Sequence, residues 1–186
     1  VAITASEAAA ILLLPALLKK LRQKEPGIKI DIIASNESSD LRRREADIAI
    51  RNFQPTHAEL IARKLPTTYA SLYATQAYLD SLGKPFVKEH LINADYVGFI
   101  DNTAYLNGLE SIGLTLTEKN FPYSTESHMA HWQLVKVGAA IGVMPDFLAN
   151  HEPQVTKAFS ELPSFPVETW LVVHRELRTN RRIQVE

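Results

Sequence analysis

Cysteine is absent from the sequence. This absence excludes structural disulfides and metal sites built on cysteine. It does not indicate a compartment, because bacterial proteins of the cytosol and of the periplasm can both lack cysteine. Stability must come from a hydrophobic core, and 186 residues with 46% hydrophobic content suffice for one sizeable domain or two small lobes.

An excess of basic charge is also missing. The formal net charge is −1 and the isoelectric point is about 6.7. A domain that grips DNA by itself usually carries a basic excess. The composition therefore argues against autonomous binding of nucleic acid.

Long apolar runs are absent too. The longest, AAAILLLPALL at residues 8–18, is far shorter than the roughly 20 residues that span a bilayer. No basic segment precedes it, so a signal peptide is not indicated. We expect no membrane partner.

The motifs of common enzyme classes are missing. The chain contains neither HExxH nor GxSxG, and no base is identifiable beside the serines of ESSD at residues 37–40. His128 and His131 have the spacing of a metal pair on a helix, but the sequence offers no third ligand near them. We predict no catalytic residue, no metal ligand, no cofactor and therefore no enzyme.

The first 51 residues alternate between strand and helix patterns. After a strand at VAIT, Ser6 is a candidate N-cap, and Pro15 predicts a kink or a late start of the helix that follows. That helix has one apolar face at i, i+3, i+4 and i+7, namely Leu14, Leu17, Leu18 and Leu21. The strand IKIDIIAS, a polar helix NESSDLRRRE and the strand ADIAIR complete an order typical of a parallel sheet with crossover helices.

The later residues also contain both patterns. Helices are predicted at TQAYLDSLG, VKEHLIN, TAYLNGLESIG, SHMAHWQLVKVG, DFLAN and, at the end, LRTNRRIQVE. Strands are predicted at LPTTYASLYAT, DYVGFI, FPYST, AIGVMP and VETWLVVHR.

Two extended segments that contain proline, around Leu65–Tyr69 and Leu162–Val167, are predicted to cross between two lobes. Residues 1–67 and 167–186 would form lobe I, and residues 68–166 lobe II. Two α/β lobes joined by two crossover segments enclose a cleft, and ligands favour such interfaces and the carboxyl ends of parallel strands.

The stretch VKVGAAIGVMP contains two glycines, Gly138 and Gly142. It lacks the Lys-Ser/Thr of a phosphate-binding loop, and the helix precedes the strand, which reverses the order of a dinucleotide fingerprint. We expect Gly138 to end the helix and Gly142 to permit close packing of a short buried strand.

Five segments in order resemble the effector-binding domain of the LysR-type transcriptional regulators. They are LLLPALLKKLRQKEPGIKIDI, EADIAIR, YATQAYLDSLGKPFVKEHLINADYVGF, VKVGAAIGVMP and FPVETWLVVHRELRTNRRIQ. One position departs from the family pattern, because Ala140 stands where the family usually has its second glycine.

The resemblance implies an α/β fold of two Rossmann-like lobes, the type II periplasmic-binding-protein-like fold. In the family this domain follows a winged helix-turn-helix and a linker helix. Both ends of the sequence look cut, so we expect a fragment that lacks this N-terminal DNA-binding domain. Family members pair through the first lobe, which predicts a homodimer or tetramer through the Leu14–Leu21 helix and the IKIDII strand.

The predicted effector-binding residues lie at strand ends and helix starts. They are Thr4, Ala5, Ser6, Ser35, Asn36, Arg51, Phe99, Ile100, Asp101, Ser127, His128 and Met144. Seven of them have a simpler alternative: Ser6 and Ser127 as N-caps, Ser35, Asn36 and Asp101 as turn or cap residues, His128 as a solvent-facing or capping side chain, and Arg51 as a surface arginine. The arginine run at residues 42–44 is most simply a solvated helix face.

The resemblance predicts a sensor function. A small molecule would bind in the cleft, and two helix N-termini favour a small carboxylate. Binding would change subunit packing and so the placement of the attached DNA-binding domain on DNA, in a cytoplasmic protein. The alternatives are a solute-binding component of a transporter, which shares the fold, and an enzyme on this fold.

Overall fold

The computed structural model describes residues 1–36, 46–55, 59–84 and 86–177. The predicted helices NESSDLRRRE and LRTNRRIQVE fall largely outside the described residues, as does the arginine run at residues 42–44. The chain divides into two compact units, Val1–Thr67 with Glu168–Glu186 (unit 1) and Thr68–Val167 (unit 2).

Strands and helices are numbered in chain order. The strands are β1 Ala2–Ala5, β2 Asp31–Ala34, β3 Ile48–Arg51, β4 Leu60–Lys64, β5 Thr68–Thr75, β6 Val97–Gly98, β7 Tyr123–Ser124, β8 Gly142–Pro145, β9 Val155–Lys157, β10 Phe165–Val167 and β11 Trp170–His174. The α-helices are α1 Leu14–Lys24, α2 Gln76–Leu82, α3 Thr103–Ser111, α4 His128–Lys136 and α5 Asp146–Ala149. A π-helical turn covers Ala9–Leu13, and 3-10 turns cover Lys88–Asn93, Glu118–Asn120 and Arg175–Leu177.

Unit 1 contains a five-stranded sheet in the order β2-β1-β3-β11-β4. β1 runs parallel to β2 and β3, whereas β11 runs antiparallel to β3 and β4. Alternation along β3 places Ile48 and Ile50 in the cluster with Ile3 and Leu14, and Ala49 in a separate cluster with Val172. The parallel order predicted for the first three strands is therefore present.

Pro15 explains the form of the first helix. The Leu14 N–H donates to the Ala9 carbonyl, which is the wide i to i−5 spacing of a π-turn. Proline has no N–H and its ring crowds the carbonyl four residues earlier, so a regular α-helix cannot run through this position unchanged. Helical residues begin at Glu7 and continue through the wide turn into α1, so the sequence around Pro15 produces a local irregularity of the helix and not the predicted late start.

Unit 2 is built around β5, the longest strand. β10, β8 and β9 all pair with β5 in antiparallel orientation. A separate parallel pair joins β6 to β7, and Tyr96 bridges to Ile141 beside it. The core of this unit contains, among others, Leu72, Leu79, Leu91, Tyr96, Leu109, Leu114, Phe121 and Ile141.

The predicted strand VETWLVVHR corresponds to β11, whereas β10 lies in the predicted crossover segment Leu162–Val167. β10 pairs with β5 in unit 2, and β11 pairs with β3 and β4 in unit 1. The break falls at Glu168 and Thr169, where the chain passes from one unit to the other. Strands β4 and β9 were not predicted, because neither segment alternates clearly between apolar and polar residues.

The two glycines of VKVGAAIGVMP have the predicted structural roles. Gly138 has a φ of 77°, its N–H donates to the Val135 carbonyl, and the Ala139 N–H donates to the Leu134 carbonyl. This is the Schellman ending of a helix, which requires the left-handed conformation that glycine adopts without strain. A Cβ on Gly142 would lie 2.5 Å from His131 Nε2, so the strand passes too close to α4 for any side chain.

Candidate functional site

The predicted residues of unit 1 meet at the carboxyl ends of β1, β2 and β3. We call Thr4, Ala5, Ser6, Ser35, Asn36 and Arg51 the unit 1 edge. The Ser35 N–H donates to the Ala5 carbonyl at 2.9 Å, and the Glu7 N–H donates to Asn36 Oδ1 at 3.1 Å. Parallel pairing brings the three strand ends to one side of the sheet, as the sequence predicts.

Ser6 begins the first helix. Its carbonyl accepts from the Ala10 N–H at 2.8 Å, and its Oγ accepts from the Ala9 N–H at 3.4 Å. The N-cap role is therefore present. Two early amides of this helix, those of Glu7 and Ala9, already donate within the unit, so the helix dipole alone is a weak attraction for an anion.

Arg51 is the most informative residue of the unit 1 edge. Its side chain is only 4% exposed, which rules out a surface arginine. Nη2 donates to the buried Thr4 hydroxyl at 2.9 Å, while Nη1 donates to the Ile50 carbonyl at 3.3 Å and the Ser35 carbonyl at 3.5 Å. A guanidinium stays charged in proteins, so the edge contains a buried positive charge aligned by neutral oxygen acceptors.

In unit 2, the segment after β6 contains three predicted residues. The Phe99 N–H donates to Oδ1 of the buried Asn102 at 2.7 Å. Asp101 Oδ1 accepts from the Thr103 N–H at 2.9 Å at the start of α3. Hydrogen bonds from the Thr103 backbone and side chain lower the pKa of Asp101, which acts as a turn residue, while Ile100 is 66% exposed.

Ser127 and His128 begin α4. Ser127 Oγ accepts from the Ala130 N–H at 3.1 Å, so Ser127 is the predicted N-cap. His128 is exposed, and its ring lies 5.3 Å from the Phe99 ring, centre to centre. We call Phe99, Ile100, Ser127 and His128 the unit 2 surface. Met144 is 2% exposed inside β8, where a ligand would not reach its side chain without movement.

His131 is the residue of this region whose role sequence reasoning missed, since it was considered only as a metal partner of His128. It is 1% exposed and stacks on Phe99 at 4.8 Å with an interplanar angle of 11°. Burial, and secondly nearby His128, lower the pKa of His131 to about 4, against an opposing contribution from the Gly98 backbone. The signal in the sequence is its i, i+4 spacing to Val135, which places it on the apolar face of α4.

Metal chemistry gains no support from this geometry. His131 Nε2 accepts a hydrogen bond from the Val143 N–H at 3.0 Å, so that nitrogen is already used. Within residues 1–36, 46–55, 59–84 and 86–177, no group of three His, Asp or Glu side chains is placed to hold a metal ion.

An open groove lies elsewhere in unit 1, with a volume of about 310 Å³. Its lining residues come from the end of α1 and the approach to β2, and they are Leu18, Leu21, Arg22, Glu25, Ile28, Lys29 and Ile30. The groove is distinct from the unit 1 edge, because the two share no residue. Across the described part of the chain, no helix has the length and apolar character needed to cross a membrane.

Solved structures of similar fold are domains of bacterial regulators. The regulatory domain of CrgA, a LysR-type transcriptional regulator from Neisseria meningitidis, matches with a TM-score of 0.83 and 20% identity, covering 99% of this chain and 93% of that one. The AmpR effector binding domain from Citrobacter freundii matches with a TM-score of 0.79 and 13% identity, covering 99% and 92%. Full-length AphB of Vibrio cholerae matches with a TM-score of 0.73 and 19% identity, covering 94% and 61%. These matches confirm the predicted two-lobed, type II periplasmic-binding-protein-like fold.

Sequence comparison identifies the family. An HTH-type transcriptional regulator of Xanthomonas campestris pv. campestris (strain 8004) is 32% identical over 75 residues. That match spans 40% of this chain and 22% of the relative. The sequence model of the LysR substrate binding domain matches residues 1–185. The chain therefore belongs to the LysR family as a substrate-binding domain, homologous to the regulatory domains of LysR-type transcriptional regulators.

Proposed function

We propose that this domain senses a small-molecule effector for a full-length DNA-binding regulator that acts in the bacterial cytoplasm. A bound effector would favour one arrangement of the regulator and so change its subunit assembly and its affinity for DNA. The DNA contact belongs to a helix-turn-helix domain beyond this chain. Membership of a family of transcriptional regulators supports this function over a solute-binding role in transport.

The chemistry of the effector follows from Arg51, the single observation that carries this part of the proposal. The guanidinium of Arg51 is buried, and the oxygens of Thr4, Ser35 and Ile50 hold its planar fork of N–H donors in a fixed direction at the unit 1 edge. A ligand carboxylate placed beside it would form a charge-assisted, fork-shaped contact. We therefore propose a small carboxylate as the effector and the unit 1 edge as its anchor.

The unit 2 surface is proposed as a second effector contact. Phe99 and His128 offer aromatic faces, and Ser127 lies at the N-terminus of a nine-residue helix, whose positive end favours an anion. Asp101 and Met144 remain predicted contacts, although one is an exposed turn carboxylate and the other is buried in β8.

The test is a thermal-shift screen of the chain against small organic acids, amino acids, amines and neutral analogues. A ligand that binds only the folded state raises the melting temperature. We expect at least one carboxylate to stabilise the chain and its amide analogue to do so much less. Stabilisation by amines or neutral compounds instead of acids would disprove the carboxylate assignment but leave the sensor function in place.

Matched arginine variants locate the anchor. Arg51→Lys keeps the charge but loses the planar fork, so we expect affinity for the carboxylate to fall by about tenfold or more. Arg63→Lys makes the same change at an exposed position of β4 and should leave affinity unchanged. Equal losses in both variants, measured by calorimetric titration, would disprove the proposed anchor.

We also propose that unit 1 pairs with a second copy of the chain. Leu17 on α1 is 46% exposed and Ile32 on β2 is 47% exposed. β2 is an edge strand of its sheet, and exposed apolar side chains beside a free strand edge are typical of an interface. The proposed state is a homodimer or a tetramer.

A further inference from the structure

His131 lies in the interior of unit 2 with a defined hydrogen-bond direction. Its Nε2 accepts from the Val143 N–H on β8 at 3.0 Å. An accepting Nε2 in a neutral imidazole requires the proton to reside on Nδ1. Among the described residues, Nδ1 makes no well-formed hydrogen bond, and the nearby Gly98 backbone favours a proton on the ring, so both surroundings agree with a proton on Nδ1.

The contact between α4 and β8 depends on this histidine. Gly142 passes so close to α4 that an added Cβ would collide with Val135 and would lie 2.5 Å from His131 Nε2. The absent side chain gives the imidazole room to reach the backbone of the next residue, Val143. Helix and strand are thus joined by a hydrogen bond that can exist only while His131 Nε2 is unprotonated.

The same imidazole supports the unit 2 surface. Phe99 stacks on His131 with nearly parallel rings, 4.8 Å between centres, and the exposed His128 lies 5.3 Å from Phe99. The backbone N–H of His131 donates to the Ser127 carbonyl at 3.0 Å, which closes the first turn of α4. We call His131, Phe99, His128 and the Val143 N–H the His131 cluster.

Protonation of His131 would turn its hydrogen bond with the Val143 N–H into a repulsive contact. A charged imidazole has two N–H donors and no acceptor, so Nε2–H would point at the Val143 N–H. The titratable groups that face His131 are His128 on its own helix and Tyr105 on α3, whose ring centre is 6.5 Å away. Gly98, Phe99, Gly142 and Val143 have no titratable side chain. Neither neighbour supplies a negative charge at neutral pH, and burial raises the pKa of Tyr105 further.

We propose that His131 is a positioning residue of unit 2, whose neutral imidazole holds α4 against β8 and supports Phe99, and whose protonation in acid releases both. The inference deepens the proposed function, since it makes the unit 2 surface sensitive to pH. The linkage has a definite sign. His131 binds a proton more readily in the unfolded chain, with a pKa near 6.5, than in the folded chain, where the pKa is about 4. Its contribution to stability is therefore complete above pH 6.5 and is lost as the pH falls from 6.5 towards 4.

The direct test is an NMR titration of the imidazole nitrogens of the unaltered chain. We expect His131 to show an unprotonated Nε2 and a protonated Nδ1 from pH 8 to pH 5, and to begin titrating only below that. The resonances of the Phe99 ring should change together with this titration. A His131 that titrates near pH 6.5, or that is protonated on Nε2, would overturn the proposal, as would Phe99 resonances that do not respond.

Two substitutions distinguish the role of His131 as a hydrogen-bond acceptor from its role in packing. Gln in His131→Gln has an oxygen that can accept from Val143 but does not titrate, whereas Leu in His131→Leu fills space without an acceptor. We expect His131→Gln to have a higher free energy of unfolding than His131→Leu at pH 7, as measured by urea unfolding. The unaltered chain should lose on the order of a hundred-fold in its folding equilibrium constant between pH 7 and pH 4 through His131, and His131→Gln should lack this component.

His151→Gln is the matched control, because it removes an exposed histidine of the same unit. It should keep the pH dependence of the unaltered chain. If His131→Gln keeps that dependence as well, the inference is wrong. If neither His131 variant folds, the titration of the unaltered chain still decides.

The test of His131 can fail while the proposed sensor function succeeds, and the reverse is also possible. Binding of citrate, as a probe carboxylate, and of any acid that stabilises the chain in the screen is measured at pH 7, separately from the titration of His131. If acids bind but His131 titrates near pH 6.5, the positioning role is refuted and the proposed sensor function stands. If His131 titrates only below pH 5 but no acid binds, the positioning role is supported and the proposed carboxylate effector is contradicted.

Discussion

Arg51 and Thr4 join the ends of two neighbouring strands through a buried hydrogen bond of 2.9 Å from the guanidinium to the hydroxyl. Thr4 is paired with Ala49 in the sheet, and Arg51 follows two residues later on the same face of β3. The pair fixes the direction of the guanidinium before any ligand arrives. If Arg51 anchors the proposed carboxylate, such preorganisation would reduce the entropy that binding must overcome.

The first prediction concerns Thr4. Thr4→Val keeps the shape of the side chain but removes the acceptor for Arg51, so we expect the free energy of unfolding to fall by about 1–3 kcal/mol. Thr4→Ser keeps the hydroxyl and should lose less. Urea unfolding at pH 7 measures both, and a valine variant as stable as the serine variant would contradict the importance of the hydrogen bond.

A second prediction uses two glycines as a matched pair. Gly142→Ala would place a Cβ against Val135 and His131, and we expect a loss of about 1–3 kcal/mol from overpacking. An added Cβ on Gly27 would meet nothing within 4 Å, and its φ is not positive, so Gly27→Ala should be close to neutral. Thermal and urea unfolding compare the two, and similar stabilities would show that α4 and β8 can separate without cost.

A third prediction tests pairing through unit 1. Leu17→Glu places a charge on an exposed apolar position of α1, and burial of an unpaired charge in an interface is costly. We expect the dissociation constant of the dimer or tetramer, measured by analytical ultracentrifugation, to rise at least tenfold. Gln23→Glu adds the same charge at another exposed position of α1 and should not change assembly. Parallel effects of the two variants would indicate that net charge, and not this surface, controls assembly.

Local chemistry was largely predictable from the sequence. The cap at Ser127 and the helix end at Gly138 follow from hydrogen bonds within a few residues, so the sequence contains all the partners involved. The collection of Thr4, Ser35 and Arg51 at one sheet edge followed from the parallel order of three strands. Strands β4 and β9 escaped prediction because neither segment alternates clearly between apolar and polar residues, and only the pairing with β11 and β5 identifies them as strands.

The roles of two charged or titratable residues needed the structure. Arg51 looked like a surface residue because arginine usually is one, and its burial depends on Thr4, 47 residues away. His131 looked like half of an incomplete metal site, and its acceptor role depends on β8 passing without a side chain at Gly142.

The sequence by itself determined the family, the alternation of strands and helices, and the helix caps, because these depend on composition, periodicity and neighbours along the chain. The tertiary structure decided which polar side chains are buried and which atoms they meet. Burial and hydrogen-bond partners are set by residues far apart in the chain, as Arg51 with Thr4 and His131 with Val143 show. Those contacts determine charge, protonation and direction, which are the properties that an effector would recognise.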